Sequence, residues 1–130
     1  VLKHVAKTRP LECSWEYISA QFSCENLAYK KILITGASGF IGGRIAEVLC
    51  QNKNLEIRAL VNNPNNASRL SRLNVDMMQV DLTNPEQVAA AVSSCDAVIH
   101  CAIGTAYGEN DVIRAVTVGG TQNLLTACTQ

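Results

Sequence analysis

Three glycines at a GxxGxxG spacing, Gly36, Gly39 and Gly42, stand between a short apolar run and a segment of helical periodicity. Glycines so placed can hold a phosphate. The first can take a backbone conformation that a side chain would strain, the second lets the main chain approach an anion, and the third lets a helix pack closely on a sheet. A pyrophosphate there would meet free amides and the positive end of a helix, an interaction worth about 0.3–1 kcal/mol for an exposed charge. Lys and Ser or Thr do not follow the glycines as they do in a GxxxxGK phosphate loop, so an ATP or GTP loop of that type is disfavoured. The same glycines would also serve a tight turn with no ligand. The strand before them, the helix after them and the further strand–helix units downstream favour dinucleotide binding.

The other reactive side chains form no comparable pattern. Cys13, Cys24, Cys50, Cys95, Cys101 and Cys128 show neither CxxC nor a repeated spacing, and the chain has enough apolar material to fold without staples. Reduced cysteines are therefore expected. His100 lies between Cys95 and Cys101, but in or beside an apolar strand neighbouring side chains point to opposite faces, so zinc is not expected.

The elements that must position the glycines follow from the apolar periodicity. Lys31 to Thr35 reads as a buried strand, followed by the loop and a helix from Arg44 through Cys50 with Ile41, Ile45, Val48 and Leu49 on its apolar face. Leu55 to Val61 is a second strand. Ala67, Leu70 and Leu73 recur every three residues and predict a short covering helix, and Val75 to Val80 a third strand. Thr83-Asn84-Pro85-Glu86 has the form of a capping box, with Thr83 as the cap and Val88, Ala91 and Val92 on the face of the helix that follows. Asp96 to Cys101 is the fourth strand. Asp111 to Cys128 forms the last helix, bearing Val112, Val116, Leu124 and Leu125.

This βαβαβαβα order calls for parallel strands and right-handed crossovers. The expected class is α/β, a partial Rossmann-like doubly wound parallel sheet of strand order 3-2-1-4 with an N-terminal extension. Strands one and four are apolar enough to be covered on both faces, yet this order leaves strand four at an edge. Residues 1–29 are set apart as the extension, where Leu11, Trp15, Ile18 and Phe22 could form one side of a short helix after Pro10. Residues 30–130 are the nucleotide-binding portion.

With 130 residues the chain can build one core but not two. Lys and Arg number 11, balanced by 11 Asp and Glu, and neither sign gathers in a block. That removes the footprint of a general nucleic-acid binder and any reason for polybasic membrane attachment. No apolar run approaches the roughly 20 residues of a membrane span, and a cytoplasmic setting is the expectation.

Thr35-Gly36-Ala37-Ser38-Gly39-Phe40-Ile41-Gly42 resembles the cofactor motif of the extended short-chain dehydrogenase/reductase family, which includes sugar-nucleotide epimerases and dehydratases. Val80-Asp81-Leu82, Asp96 to Ala102 and Val118 to Leu125 agree with that family in order, and the resemblance covers about residues 30 to 130. It implies NAD or NADP as cofactor and no metal. Gly36, Ser38, Gly39, Phe40, Ile41 and Gly42 would lie on the pyrophosphate. Asp81 would accept from the adenine amino group beside Leu82, unless it serves only a helix-leading turn. Cys101, Ala102 and Ile103 would line the cofactor, Cys101 as a small hydrophobe rather than a nucleophile. Where an NAD site places an acidic residue on the ribose, this chain has Asn62 and Asn63, with Arg69 or Arg72 as candidates for a 2′-phosphate.

The resembling enzymes transfer protons through a Tyr-x-x-x-Lys pair. Here Tyr17, Tyr29 and Tyr107 are followed four residues on by Gln21, Leu33 and Asp111, so the pair is missing. The family's Asn ahead of the Val-x-Gly-Thr segment is replaced by Thr117. The expected function is therefore the NAD(P)-binding portion of a longer enzyme, inactive by itself. A nucleotide-binding regulatory protein and a structural remnant are the alternatives. Self-association through the strand-four edge is expected, and no nucleic-acid or membrane partner.

Overall fold

The computed structural model describes residues 29–104 and 110–129. Four strands, β1 (Lys31–Thr35), β2 (Glu56–Val61), β3 (Asp76–Gln79) and β4 (Ala97–His100), form one parallel sheet in the order β3-β2-β1-β4. The helices are α1 (Phe40–Leu49), α2 (Pro85–Val92), α3 (Asn110–Arg114) and α4 (Gly120–Cys128), with a π turn, Ala115–Gly119, joining the last two. The fold class expected from the sequence is the one observed.

Side chains of β1 alternate between the two faces, as a pleated strand requires. Ile32 and Ile34 pack with Ile57, Ala59 and Val61 under Ala37, Ala46, Ala67 and Leu70. On the other face Leu33 and Leu60 meet Val80, Val88, Ala91 and Leu124. Thus α1 covers one side of the sheet and α2 with α4 the other. Register follows the same pattern, with Ile34 opposite Ala59 on β2 and Ile99 on β4.

Two charged side chains fasten the end of the sheet where β1 and β4 begin. Asp96 Oδ2 accepts the Lys31 amide at 2.7 Å and the Lys30 amide at 2.8 Å, and these bonds hold its carboxyl below the ordinary value. Arg58, only 12% exposed, donates to Asp76 at 2.9 Å, to the Ala91 carbonyl at 2.8 Å and to the Ser93 carbonyl at 3.1 Å. It thereby joins β2 and β3 and satisfies carbonyls that the end of α2 leaves open.

Several local expectations are corrected. Helix α1 starts at Phe40 rather than Arg44, and Ile41 and Val48, expected on its apolar face, are exposed. Gly42, Gly43 and Ala46 are buried instead, because the helix lies so close to the loop that small residues must face inward. The helix over Ala67 to Leu73 is two 3₁₀ turns, Pro64–Asn66 and Leu70–Arg72; a spacing of three is the 3₁₀ period. Asn84, not Thr83, caps α2, accepting the Glu86 and Gln87 amides at 3.1 and 3.2 Å. The last helix is not continuous but broken by the π turn, and Val112 and Leu125 are exposed. Strands β2, β3 and β4 are each shorter than expected. The helix expected on Leu11, Trp15, Ile18 and Phe22 lies outside the described residues, as do Cys13 and Cys24. Cys50, Cys95, Cys101 and Cys128 are unbridged. No helix among the described residues is long and apolar enough to cross a membrane.

Candidate functional site

Strand β1 ends at Thr35, and the chain turns at Gly36 with φ +64°, in the left-handed region. A β-carbon on Gly36 would come within 2.8 Å of the Ala102 amide nitrogen, so this turn lies against the exit of β4. One on Gly42 would overlap the Gly36 carbonyl oxygen. At Gly39 the contact would be 3.2 Å to that same oxygen, tight but not closed. The loop is held internally by the Gly39 amide donating to the Gly36 carbonyl at 2.9 Å.

The N-terminus of α1 has no side-chain cap and no acidic residue in its first turn, whereas α2 is capped by Asn84 and has Glu86 in its first turn. An uncapped helix start presents amide donors and a partial positive charge, the arrangement an anion complements. Phe40 and Ile41 stand exposed there.

Beside this loop is a cleft of about 400 Å³ at the carboxyl ends of β1, β2 and β4. Such a volume falls in the range of about 300–1,000 Å³ typical of small-molecule sites. Strand β1 lies between β2 and β4, so chain order reverses here, and crevices of open α/β sheets form at that point. The cleft gathers Gly36, Ser38, Asn62, Asp81, Leu82, Cys101, Ala102 and Ile103 from the residues singled out in the sequence. Gly39, Phe40, Ile41 and Gly42 are not in its lining; they form the adjoining loop and first turn of α1. Asn66, Gly104, Val112, Ile113 and Val116 also line it and were not foreseen. Hydrophobic spacing marks Val112 and Val116 as core candidates and cannot distinguish a cleft wall from a core, and it did not mark Ile113.

The polar groups are partly committed. Asp81 Oδ1 accepts both the amide and the hydroxyl of Thr83, at 2.9 and 2.8 Å, so this oxygen serves the turn ahead of α2. Asn63 Oδ1 accepts the Asn65 amide at 3.0 Å, and the Asn62 carbonyl accepts from Gln79 at 3.1 Å. Arg69 does not line the cleft. It pairs with Glu47 of α1 at 2.6 Å, and Arg69, aided by Arg44, holds the Glu47 carboxyl below its ordinary value. Arg72, exposed on the second 3₁₀ turn, is likewise absent from the lining.

The wall formed by residues 101–104 is tied at both ends. The fully buried Thr35 hydroxyl receives the Cys101 and Ala102 amides at 3.1 and 3.2 Å and meets His100 Nδ1 at 2.6 Å. His100 Nε2 meets the Thr121 hydroxyl at 3.0 Å, and burial pushes the imidazole below its ordinary pKa. Thr117 Oγ1 accepts the Gly104 amide at 2.9 Å. The sequence raised Thr117 only as a family departure and gave no signal for the Thr35–His100 pair. Among the described residues no group of His, Cys, Asp or Glu side chains is placed to hold a metal ion.

Comparison with known proteins agrees with this architecture. The model of the 3-beta hydroxysteroid dehydrogenase/isomerase family matches residues 33–130. A 2-alkyl-3-oxoalkanoate reductase of Shewanella oneidensis is 34% identical over 96 residues, covering 73% of this chain and 24% of that protein. Vestitone reductase of Medicago sativa is 31% identical over 109 residues, 75% of this chain and 33% of the enzyme. Among solved structures, a mutant uronate dehydrogenase from Agrobacterium tumefaciens complexed with NAD superposes with a TM-score of 0.62 at 26% identity, over 76% of this chain and 36% of that one. The chain thus spans about a quarter to a third of the length of these relatives. With the loop, the sheet order and the matched segment in agreement, the chain belongs to the 3-beta hydroxysteroid dehydrogenase/isomerase family, within the extended short-chain dehydrogenases/reductases.

Proposed function

We propose that residues 30–130 are the N-terminal portion of the NAD(P)-binding domain of an oxidoreductase or a sugar-nucleotide epimerase-like enzyme, and that the chain by itself binds the dinucleotide without turnover. The observation that carries this reading is the conjunction of the Gly36 turn, the uncapped start of α1 and the cleft between the ends of β1, β2 and β4. The relatives named reductases and the NAD complex of a neighbour support it.

The residues present fit such a ligand. Amides at the start of α1 would receive the pyrophosphate, with Gly39 leaving room for its approach. Asp81 and Leu82 would border the adenine, and Asn62 with the turn after β2 the adenosine ribose. No carboxylate stands at Asn62 to repel a 2′-phosphate, so the site takes either NAD or NADP, with a lean to NADP. Ala102 and Ile103 would flank the nicotinamide side. Bound there, the cofactor supplies hydride transfer; the protein must then move a proton to or from the substrate oxygen. Tyr29 cannot do so. It lies six residues before Thr35, where β1 reaches the cleft, and so stands about 20 Å away at roughly 3.3 Å per residue.

Calorimetry with NAD and NADP tests the binding, and Gly39→Val is expected to lower affinity at least about tenfold by obstructing the phosphates. Equal affinity in both proteins would remove the pyrophosphate from this loop. Mixing the chain with NADH or NADPH and candidate carbonyl compounds is expected to give no consumption above a control without substrate. Turnover that persists through repurification would show that another group transfers the proton.

A further inference from the structure

The hydrogen bonds around Thr35 and His100 have a polarity that can be worked out from their donors. The Ala102 amide and the Cys101 amide, the latter shared with the Thr35 carbonyl, both point at Thr35 Oγ1. A hydroxyl has two acceptor sites and one proton. With both acceptor sites used, the proton must go to the remaining neighbour, His100 Nδ1 at 2.6 Å. Nδ1 is then an acceptor, and the imidazole is neutral with its hydrogen on Nε2. Nε2–H donates to Thr121 Oγ1, whose own proton goes to the Thr117 carbonyl. Thr117 Oγ1 closes the circuit by accepting the Gly104 amide.

The circuit encloses residues 101–104, one wall of the cleft, between the end of β1 and the π turn. The wall has little freedom elsewhere, since Gly36 already lies against Ala102 and Gly104 against Ile113. A proton on Nδ1 would face an oxygen whose acceptor sites are both filled, so one of the two amide bonds to Thr35, or the imidazole contact itself, would be lost. Resting on the dinucleotide reading of this cleft, we propose that His100 is a positioning residue. Its neutral Nε2–H form holds the 101–104 wall in the binding geometry, and its protonation releases that wall and weakens cofactor binding.

Burial, which already disfavours the charged ring, agrees with this direction. The groups that share the groove beside His100 are Asp96 and Cys95 at the approach to β4 and Cys128 on α4, while α2 contributes only uncharged side chains. On β1 the residue opposite His100 is Thr35, and the charged Lys31 stands at the other end of that strand. The Asp96 carboxylate is bound to the Lys30 and Lys31 amides at the opposite end of β4. No described carboxylate is paired with the ring to favour its charged form.

The test measures NAD affinity by calorimetry at about pH 7.5 and about pH 5.5, on either side of the ordinary histidine range. NAD is used because the extra phosphate of NADP titrates near pH 6 itself, as phosphate monoesters do. For the wild-type chain a loss of several-fold is expected between the two, smaller than the roughly tenfold that one proton at the ordinary histidine value would give, because burial lowers the pKa of the ring. His100→Asn keeps an acceptor oxygen near the position of Nδ1 and does not titrate, so it should bind within about twofold of wild type at the higher pH and vary little with pH. His100→Leu should bind weakly at both. Long-range proton–nitrogen spectra of the imidazoles, assigned against His100→Asn to exclude His4, should show the neutral Nε2–H form without cofactor. An Nδ1–H tautomer, a ring charged at the higher pH, or equal pH dependence in wild type and His100→Asn would overturn the proposal. Should His100→Asn not fold, the wild-type tautomer and pH profile decide it. An Nε2–H ring in a chain with no NAD affinity at any pH would refute the dinucleotide reading and the cofactor role of His100 while leaving the hydrogen-bond circuit intact. A pH-independent affinity would refute the positioning role alone.

Discussion

Gly39 and Gly42 belong to one motif but carry different loads. A β-carbon on Gly42 would overlap the Gly36 carbonyl oxygen, and that oxygen is fixed because it accepts the Gly39 amide. A methyl group at Gly39 needs only a small shift of the same atom from 3.2 Å. Gly42→Ala is therefore expected to cost about 1–3 kcal/mol of folding stability, as overpacking does, and to lose affinity with it. Gly39→Ala is expected to lower NAD affinity with a stability change under about 1 kcal/mol. Urea unfolding beside calorimetry separates the two; equal destabilisation would mean the loop has no room reserved for a ligand. Spacing made all three glycines visible in the sequence. It also suggested a separate role for each, but not the size of each clash, which depends on the backbone atom that stands opposite. Thr35 and His100 were illegible for a related reason: their bond joins residues that only the β1–β4 register brings opposite each other.

Secondary structure was legible where apolar periodicity dominates. Strands β1 to β4 and helix α2 fall where the pattern puts them, because each buries the face that the pattern marks. The pattern failed where backbone approach or local capping takes over. Helix α1 faces inward through glycine and alanine, which carry little hydrophobic signal, and α2 starts at Pro85, which puts Asn84 at the cap and leaves Thr83 one residue outside, turned onto Asp81. Arg58 is the clearest omission at this scale. On a strand it reads as a solvent-facing charge, yet its guanidinium satisfies the Ala91 and Ser93 carbonyls and pairs with Asp76. Charge-assisted bonds contribute about 1.5–3 kcal/mol each, and truncation removes a donor from the carbonyl of the buried Ala91, while Asp76 and Ser93 are exposed and can turn to water. Arg58→Met should keep the aliphatic packing and lower stability by about 2–3 kcal/mol, with Arg58→Lys recovering only part because an ammonium cannot fork between β3 and the end of α2. A loss below about 0.5 kcal/mol in urea titrations would show that water replaces these bonds at no cost.

At the scale of the whole molecule the sheet is asymmetric. Strand β3 forms one edge and is largely exposed, with polar or flexible side chains from Asp76 to Gln79. Strand β4 forms the other and is apolar and only half-buried; among the described residues β1 is its one partner. Alongside it runs a groove of about 680 Å³ lined by Val98, Leu124, Leu125 and Cys128, with Leu125 64% exposed. Unpaired strand edges with apolar side chains recruit further strands, and a charge or proline that would blunt this edge is absent from Ala97 to His100. The expected outcome in solution is therefore a covered edge, with some dimer or larger assembly. Hydrogen exchange on β4 amides, followed through a concentration series beside analytical ultracentrifugation, distinguishes the covers. Protection that rises with concentration, together with a growing dimer, assigns the cover to a second copy. Slow exchange in a monomer at every concentration assigns it to the chain itself. Rapid exchange throughout, in a monomer whose β1 amides stay protected, would show that this edge tolerates water despite its composition.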